Sequence, residues 1–497
     1  MDHPPELRLL LALLAPLLGA GLVMATGRRP NLREGCSLLA AVTLFALTAS
    51  LIPDVLAGRG PRYVMFEWLP GLRIALRADA MSLLFAVTAS FLWVLTVFYS
   101  AGYMRGLREH AQTRFNTCFA LALFGAMGCA FADNLLTLYL FYEVVSISTY
   151  PLVAHHQDAE SYEGGRKYLV YLTATAKGLV LPAMVLIYVL TGSLDFAHDI
   201  RGGILPAGLS HGVVAGLYVA CLLGFAKNGV MPLHHWLPGA MVAPTPVSAL
   251  LHAVAVVKVG VFATTRVMLY VFGVDLLNAA NLGLPTAWFV SVTILFASVV
   301  ALSKDNLKAR LAYSTVSQLS YVILGVALLT PAAIQGGLVH IANHAFSKIT
   351  LFFCAGAIYV ATHKKNISEL GGLGRAMPFT FGAFALASLS MIGAPPVGGF
   401  VSKWYLLVGA QDARALGIVV VLLLSTLLNA AYFVPVVYQA FFGRPPARAG
   451  GDYASADSRL AEAPLAMVIP LSLTAVISVV LGFYPELFMR FVREVLP

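Results

Sequence analysis

Charge is scarce in this sequence: Asp, Glu, Lys and Arg make up only 11% of its 497 residues, against 59% apolar side chains. An ordinary soluble domain is about one quarter charged, so that class is excluded. Apolar windows of about 20 residues, enough to cross roughly 30 Å of hydrocarbon, recur from end to end and leave no room for a soluble domain of any size. The opening MDHPPELR lacks the basic start of a secretory signal, and no small-residue cleavage site follows, so the first apolar run is expected to stay as a helix. Cysteine is also sparse. Cys36, Cys118, Cys129, Cys221 and Cys354 stand singly, without C-x-x-C spacing, which argues against a metal or iron–sulfur centre and suits small core residues. No nucleotide-binding glycine motif is present. No cofactor and no resident metal are expected.

What remains is a single polytopic, all-α membrane domain. Fourteen spans are expected near 7–24, 35–53, 79–103, 115–132, 134–154, 167–191, 212–231, 246–271, 287–303, 311–329, 332–361, 377–394, 400–442 and 464–488. Residues 400–411 are expected to complete the helix interrupted at Pro395-Pro396. The apolar runs are continuous rather than alternating, so strands are not expected. Three spans read as broken: 227–249, with four prolines; 331–360, too long for one straight crossing and holding Gly336-Gly337; and 392–404. Backbone groups freed inside a membrane are tolerated only where protein or a wet cavity satisfies them, which is how transport paths are built; kinks in a packed bundle are the other reading.

The few charges are unevenly placed. With fourteen spans, the loops joining spans 1–2, 3–4, 5–6, 9–10, 11–12 and 13–14 hold 17 Lys and Arg, against nine in the opposite loops and tails. The positive-inside tendency puts both termini away from the cytoplasm, and the net charge of +9 is mostly this bias, so no nucleic-acid patch is implied. Six basic residues remain, all within or at the edge of apolar spans: Lys177, Lys227, Lys258, Arg266, Lys348 and Lys403. Among the acids only Glu143 falls well inside a span, with Asp79 and Asp133 at span starts. A charge at mid-membrane costs several kcal/mol and marks a proton or ion path by default. Arg266 sits late in its span and is expected to snorkel to the interface, whereas Glu143, Lys227, Lys348 and Lys403 lie about mid-span or beside breaks.

Desolvation can lower a lysine pKa from about 10.4 by 3 to 5 units, into the range where a proton is taken up and released at neutral pH. Arginine does not release its proton there, and the buried set is mostly lysine. A carboxylate about 8 Å away at an effective dielectric near 20 contributes roughly 2 kcal/mol. Moving or protonating Glu143 is therefore expected to switch Lys227 between holding and passing a proton. His340, His344 and Lys348, spaced i, i+4 and i+8, line one helix face, and YSTVSQLSY (313–321) supplies hydroxyls and an amide nearby. A haem or metal pair at His340 and His344 is the rival reading. His155, His156, His234 and His235 fall near span ends, where hydration alone accounts for them.

These residues carry a family resemblance. LYLFYEVVSISTYPLV, FAKNGVMPLHHWLPGAMVAPTPVSALLHAVAVVKVG, HIANHAFSKITLFFCAGAI and GAPPVGGFVSKW resemble the antiporter-like subunits of respiratory complex I, of Mrp-type multisubunit cation/proton antiporters and of membrane-bound hydrogenases. The resemblance implies two inverted five-helix repeats with broken helices 7 and 12, dividing the chain into 1–110, 111–275, 285–445 and 460–497. It also implies a proton relay of Glu143, Lys227, Lys258, Lys348 and Lys403, the last as the exit residue, to which the spacing adds His340 and His344. The D-type member of the Mrp antiporters is the first choice, because Lys403 stands where the middle-sized complex I relative usually has glutamate. The large complex I member of the family has an extra C-terminal helix that this sequence, ending at Pro497, does not show; Lys177 is outside the pattern. Implied partners are other membrane subunits, including homologous ones, protons, Na+ and the lipid of the inner (cytoplasmic) membrane. A proton-pumping subunit of an NADH:quinone oxidoreductase or hydrogenase complex is the alternative. A chain that itself binds quinone or a redox centre lacks any supporting motif, and an inert scaffold leaves the buried charges unexplained.

Overall fold

The computed structural model describes residues 6–444 and 460–496; the start of the chain, Arg448, Arg459 and Pro497, on which parts of the charge and boundary reading rest, lie outside them. The chain is a helical bundle, and among the described residues nine helices are long and apolar enough to cross a membrane. Short polar caps set where several helices begin: the side chains of Asp79, Asn134, Asp158 and Asn306 accept from the backbone N–H of Ser82, Thr137, Ser161 and Ala309, at 2.8, 2.8, 2.7 and 3.0 Å. Each satisfies one of the donors that a helix start leaves without an intrahelical partner.

Two of the three expected breaks are present. The helix His211–Gly224 gives way to a tight turn at Ala226–Asn228, and short helices at Trp236–Gly239 and Thr245–Ala253 lead to Val256–Val267. The helix Pro378–Ile392 stops before Pro395-Pro396, and Gly398–Asp412 resumes after them. The third expectation is corrected, because Pro331–Thr362 is one continuous helix of 32 residues. Its two glycines serve close packing instead. A Cβ at Gly336 would lie 2.7 Å from the Leu406 nitrogen, and one at Gly337 would lie 2.8 Å from the Val322 carbonyl oxygen, so neighbouring backbones approach there as small residues allow in membrane bundles.

Two elements escape a hydropathy reading. Arg62–Leu69 and Leu72–Arg77 form an antiparallel hairpin, an exception to the expected absence of strands. Its Pro70-Gly71 turn is the signal that could have found it. After Leu465–Phe483 a further helix, Glu486–Val495, buries Phe488, Met489, Phe491 and Val492 while keeping Arg490 exposed; its charge hides it from a search for continuous apolar runs.

Arg266 does not snorkel. It is 2% exposed, and its two terminal nitrogens reach the Asp79 carboxylate at 2.5 and 2.9 Å, with Ser82 Oγ accepting at 2.9 Å. The rings of Phe262 and Tyr270 lie 5.2 and 4.7 Å from its guanidinium carbon. The planar fork matches a carboxylate face to face, so a buried partner held at a helix start wins over the long reach to water. The pair ties the start of Ala80–Gly106 to the helix that carries Lys258.

Candidate functional site: a line of buried lysines and histidines

Lys227 sits in the turn Ala226–Asn228, where its helix has just ended. It is fully buried, and its Nζ donates to the Tyr142 carbonyl at 2.9 Å and to Ser146 Oγ at 2.7 Å. Both acceptors belong to Leu135–Val153, the helix of Glu143. Glu143 itself lies on another flank of that helix and is half-buried. No ion pair within 4.0 Å joins it to Lys227 among the described residues, and its buried Oε1 has no hydrogen-bond partner. Its carboxylate feels the charges of Lys227 and Lys177. Lys177 is exposed, within a π-helical turn at Ala176–Val180, so it belongs to the outer surface rather than to the buried set.

A second group is strung out as a line of neighbouring polar side chains. Lys258 Nζ lies 2.7 Å from His344 Nδ1, and the His344 and His340 rings are 5.8 Å apart. His340 contacts Gln318 Oε1 at 3.0 Å and Ser402 Oγ at 2.8 Å through its two ring nitrogens. Gln318 Nε2 reaches the Met391 carbonyl at 3.5 Å, and Lys403 Nζ donates to that carbonyl at 3.0 Å and to Ile392 at 2.7 Å. The broken helix explains the last step: Pro378–Ile392 ends in carbonyls that have no helical partner, and a cation is favoured at that end of a helix. Lys258, His344, His340, Gln318 and Lys403 are all 5% exposed or less. Both His340 nitrogens are engaged by Gln318 and Ser402, which leaves neither free for a metal bound between His340 and His344.

Lys348 follows on the same helix but is turned to another neighbour. Its Nζ donates to Ser314 Oγ at 2.5 Å and to the Leu311 carbonyl at 3.3 Å. The stretch 313–321 thus supplies Ser314 to one lysine and Gln318 to the histidine line. Ser402, Tyr142 and Ser146 are partners that the charges alone do not reveal; each lies within three residues of a charge that stands out in the sequence.

Lys308, a loop cation by its sequence position, points inward and donates to the Ala243 carbonyl at 2.6 Å. It lines a cavity of about 420 Å³ together with Tyr103, Glu109, His156, Pro238 and Thr245. The cavity opens at the end of the bundle that bears the basic loops and reaches the broken stretch after Lys227.

Close backbone approach holds the first break in place. A Cβ on Gly260, two residues from Lys258, would collide with the main chain between Lys227 and Asn228. Gly260→Ala is expected to gain about 1 kcal/mol of helix propensity and to lose about 1–3 kcal/mol by overpacking. A lower melting midpoint of the purified protein, with Lys227 displaced, is the outcome to look for.

A bundle of this architecture, with broken helices and buried lysines, defines a polytopic membrane protein of the antiporter-like class. The family described as NADH:quinone oxidoreductase/Mrp antiporter, TM, matches residues 132–429, and the chain belongs to it. NADH-quinone oxidoreductase subunit N of Desulforudis audaxviator is 35% identical over 91% of both chains. The A-type component of a Na(+)/H(+) antiporter of Alkalihalophilus pseudofirmus is 32% identical over 84% of this chain, which spans 54% of that relative. The Mrp complex of Dietzia sp. contains a chain of the same fold, with a TM-score of 0.85, 23% identity and coverage of 99% of this chain and 97% of the other. An archaeal membrane-bound sulfane sulfur reductase contains another, with a TM-score of 0.87, 24% identity and coverage of 98% and 97%.

Proposed function

We propose that the chain conducts protons through Glu143, Lys227, Lys258, His344, His340, Lys348 and Lys403 as one component of an Mrp-type monovalent cation/proton antiporter. The observation that carries this reading is the buried line from Lys258 through His344, His340 and Gln318 to the carbonyls that hold Lys403. Lysines and histidines exchange protons, and hydroxyl and amide groups between them can pass one on. The half-exposed Glu143 and the exposed Lys177 lie on a flank that a neighbouring membrane protein would cover, which suits the multisubunit assemblies to which the relatives belong. Repeats at 111–275 and 285–445, an inner-membrane setting and both termini on the non-cytoplasmic side complete the proposal.

A second reading, a proton-pumping component of an NADH:quinone oxidoreductase, is favoured by the end-to-end match to a subunit N. Co-purification separates the two: small hydrophobic neighbours support the antiporter, whereas iron–sulfur or flavin subunits support the redox complex. In either assembly Glu143 tunes Lys227. Loss of a carboxylate worth roughly 2 kcal/mol corresponds to about 30-fold in proton affinity, so Glu143→Ala should slow proton-coupled transport by about 10- to 30-fold in inverted vesicles. Unchanged transport at normal abundance would remove Glu143 from the relay.

A further inference from the structure

Four potential metal ligands converge at the basic end of the bundle, away from the buried line. Helix Ala80–Gly106 ends in a turn that carries Glu109 and His110, between two residues with left-handed backbone, Arg108 at φ 52 and Ala111 at φ 48. Helix Leu135–Val153 ends in a second turn that carries His155 and His156. Arg114 clamps this turn by donating to the His155 carbonyl at 2.7 Å. The two turns meet through their side chains. Glu109 Oε1 is 3.3 Å from His156 Nε2, Glu109 Oε2 is 3.8 Å from His155 Nε2, and the His110 and His155 rings are 4.8 Å apart.

One residue in this cluster is unexplained by the protein alone. The His155 side chain is fully buried, and neither of its ring nitrogens has a hydrogen-bond partner. Buried polar atoms are rarely left unsatisfied, and such exceptions call for a ligand. A water molecule could serve one nitrogen, but the surrounding donor set is more specific than that. The ligand atoms of Glu109, His110 and His155 all lie within 4.8 Å of one another.

We propose that Glu109, His110 and His155, with His156 holding the Glu109 carboxylate, form a binding site for a divalent transition-metal ion of the zinc type. Two imidazoles and one carboxylate, with a fourth position for water, suit Zn²⁺ and its neighbours, and are unlike the all-oxygen sets of Mg²⁺ or Ca²⁺. Bonds of about 2.0–2.2 Å to a tetrahedral ion put the donors roughly 3.3–3.6 Å apart, so the ion draws the cluster in by about an ångström. The exposed His110 is free to supply most of that movement. The buried His155 ring offers two nitrogens that no protein group occupies, and His156 Nε2 lies 3.3 Å from the Glu109 carboxylate and orients it. Arg114 and Lys308 are the nearby cations that oppose binding, while Asp158 offsets them near His156. Glu109 and His156 also form part of the wall of the 420 Å³ cavity, so a bound ion sits at its rim.

The test uses the full-length protein in detergent, stripped with chelator and titrated with Co²⁺, whose visible absorption reports a tetrahedral nitrogen and oxygen environment. One saturable site that Zn²⁺ displaces is expected in the wild type. Because substitutions beyond the ligands already cost 10–100-fold in affinity, His110→Ala and Glu109→Gln should each weaken it by at least about tenfold. His155→Asn should abolish it. The exposed His110 makes its variant safe for folding, and an unchanged melting midpoint verifies this. A double His234→Ala, His235→Ala variant should keep the site. The absence of a saturable site, wild-type affinity in His110→Ala and Glu109→Gln, or loss only in the His234/His235 variant would each overturn the proposal.

Discussion

Lys403→Arg is expected to lower proton-coupled transport by at least about 100-fold, the low end of what a positioned proton-transfer group contributes, while the protein still accumulates and assembles. The arginine keeps a cation against the Met391 and Ile392 carbonyls, which Lys403 meets at 3.0 and 2.7 Å. It does not, however, release a proton at any physiological pH. Lys403→Ala should lose transport as well, but it also strips the Ile392 carbonyl of its side-chain donor, while Met391 keeps Gln318 and Asn429, at about 1–3 kcal/mol for a buried group left unsatisfied. The arginine variant therefore separates the two roles. Reduced transport in Lys403→Ala alone would mark Lys403 as a cap on a broken helix, and full transport in Lys403→Arg would end the proton relay through this residue.

Asp79→Ala is expected to be the most damaging single change to stability, at about 3–5 kcal/mol, because it leaves the Arg266 charge buried without its partner. Arg266 is 2% exposed, held by two Asp79 oxygens and by Ser82, and surrounded by aromatic rings. Asp79 also caps Ala80–Gly106 through the Ser82 N–H, which adds about 1 kcal/mol to the loss. Replacing both partners, as in Asp79→Asn with Arg266→Met, should recover much of it, since apolar substitutes for a buried ion pair are often neutral or better. Thermal melts of Asp79→Asn, Arg266→Met and the double variant form the cycle that measures the coupling. Additive losses would show that Asp79 and Arg266 act independently.

The residues most legible in the sequence were those whose chemistry conflicts with their setting. A lysine inside an apolar span stands out without any knowledge of its neighbours, and Lys227, Lys258, Lys348 and Lys403 are all 5% exposed or less. Proline marked the breaks at 232–246 and 395–396 for the same local reason. Glycine was ambiguous: Gly336-Gly337 reads equally as a break or as a close contact, and only the neighbouring backbones at Val322 and Leu406 decide for contact. Arg266 failed in a related way. Its place late in a span allows snorkelling, but a carboxylate 187 positions away in the sequence supplies a better partner.

The sequence by itself determined that this is a polytopic helical membrane protein, that the few charges inside its spans are mostly basic with one acid among them, and that short motifs around them resemble the antiporter-like family. The spans and the charges within them follow from composition and short-range pattern, because the bilayer acts on each segment separately. Tertiary structure alone decided that Lys258 meets His344, that Ser314 serves Lys348 while Gln318 serves His340, that Glu143 is half-buried with no ion pair to Lys227 among the described residues, and that His155 meets Glu109. Each of these is a contact between distant segments, fixed by how the helices pack once they are formed, and no local periodicity encodes it.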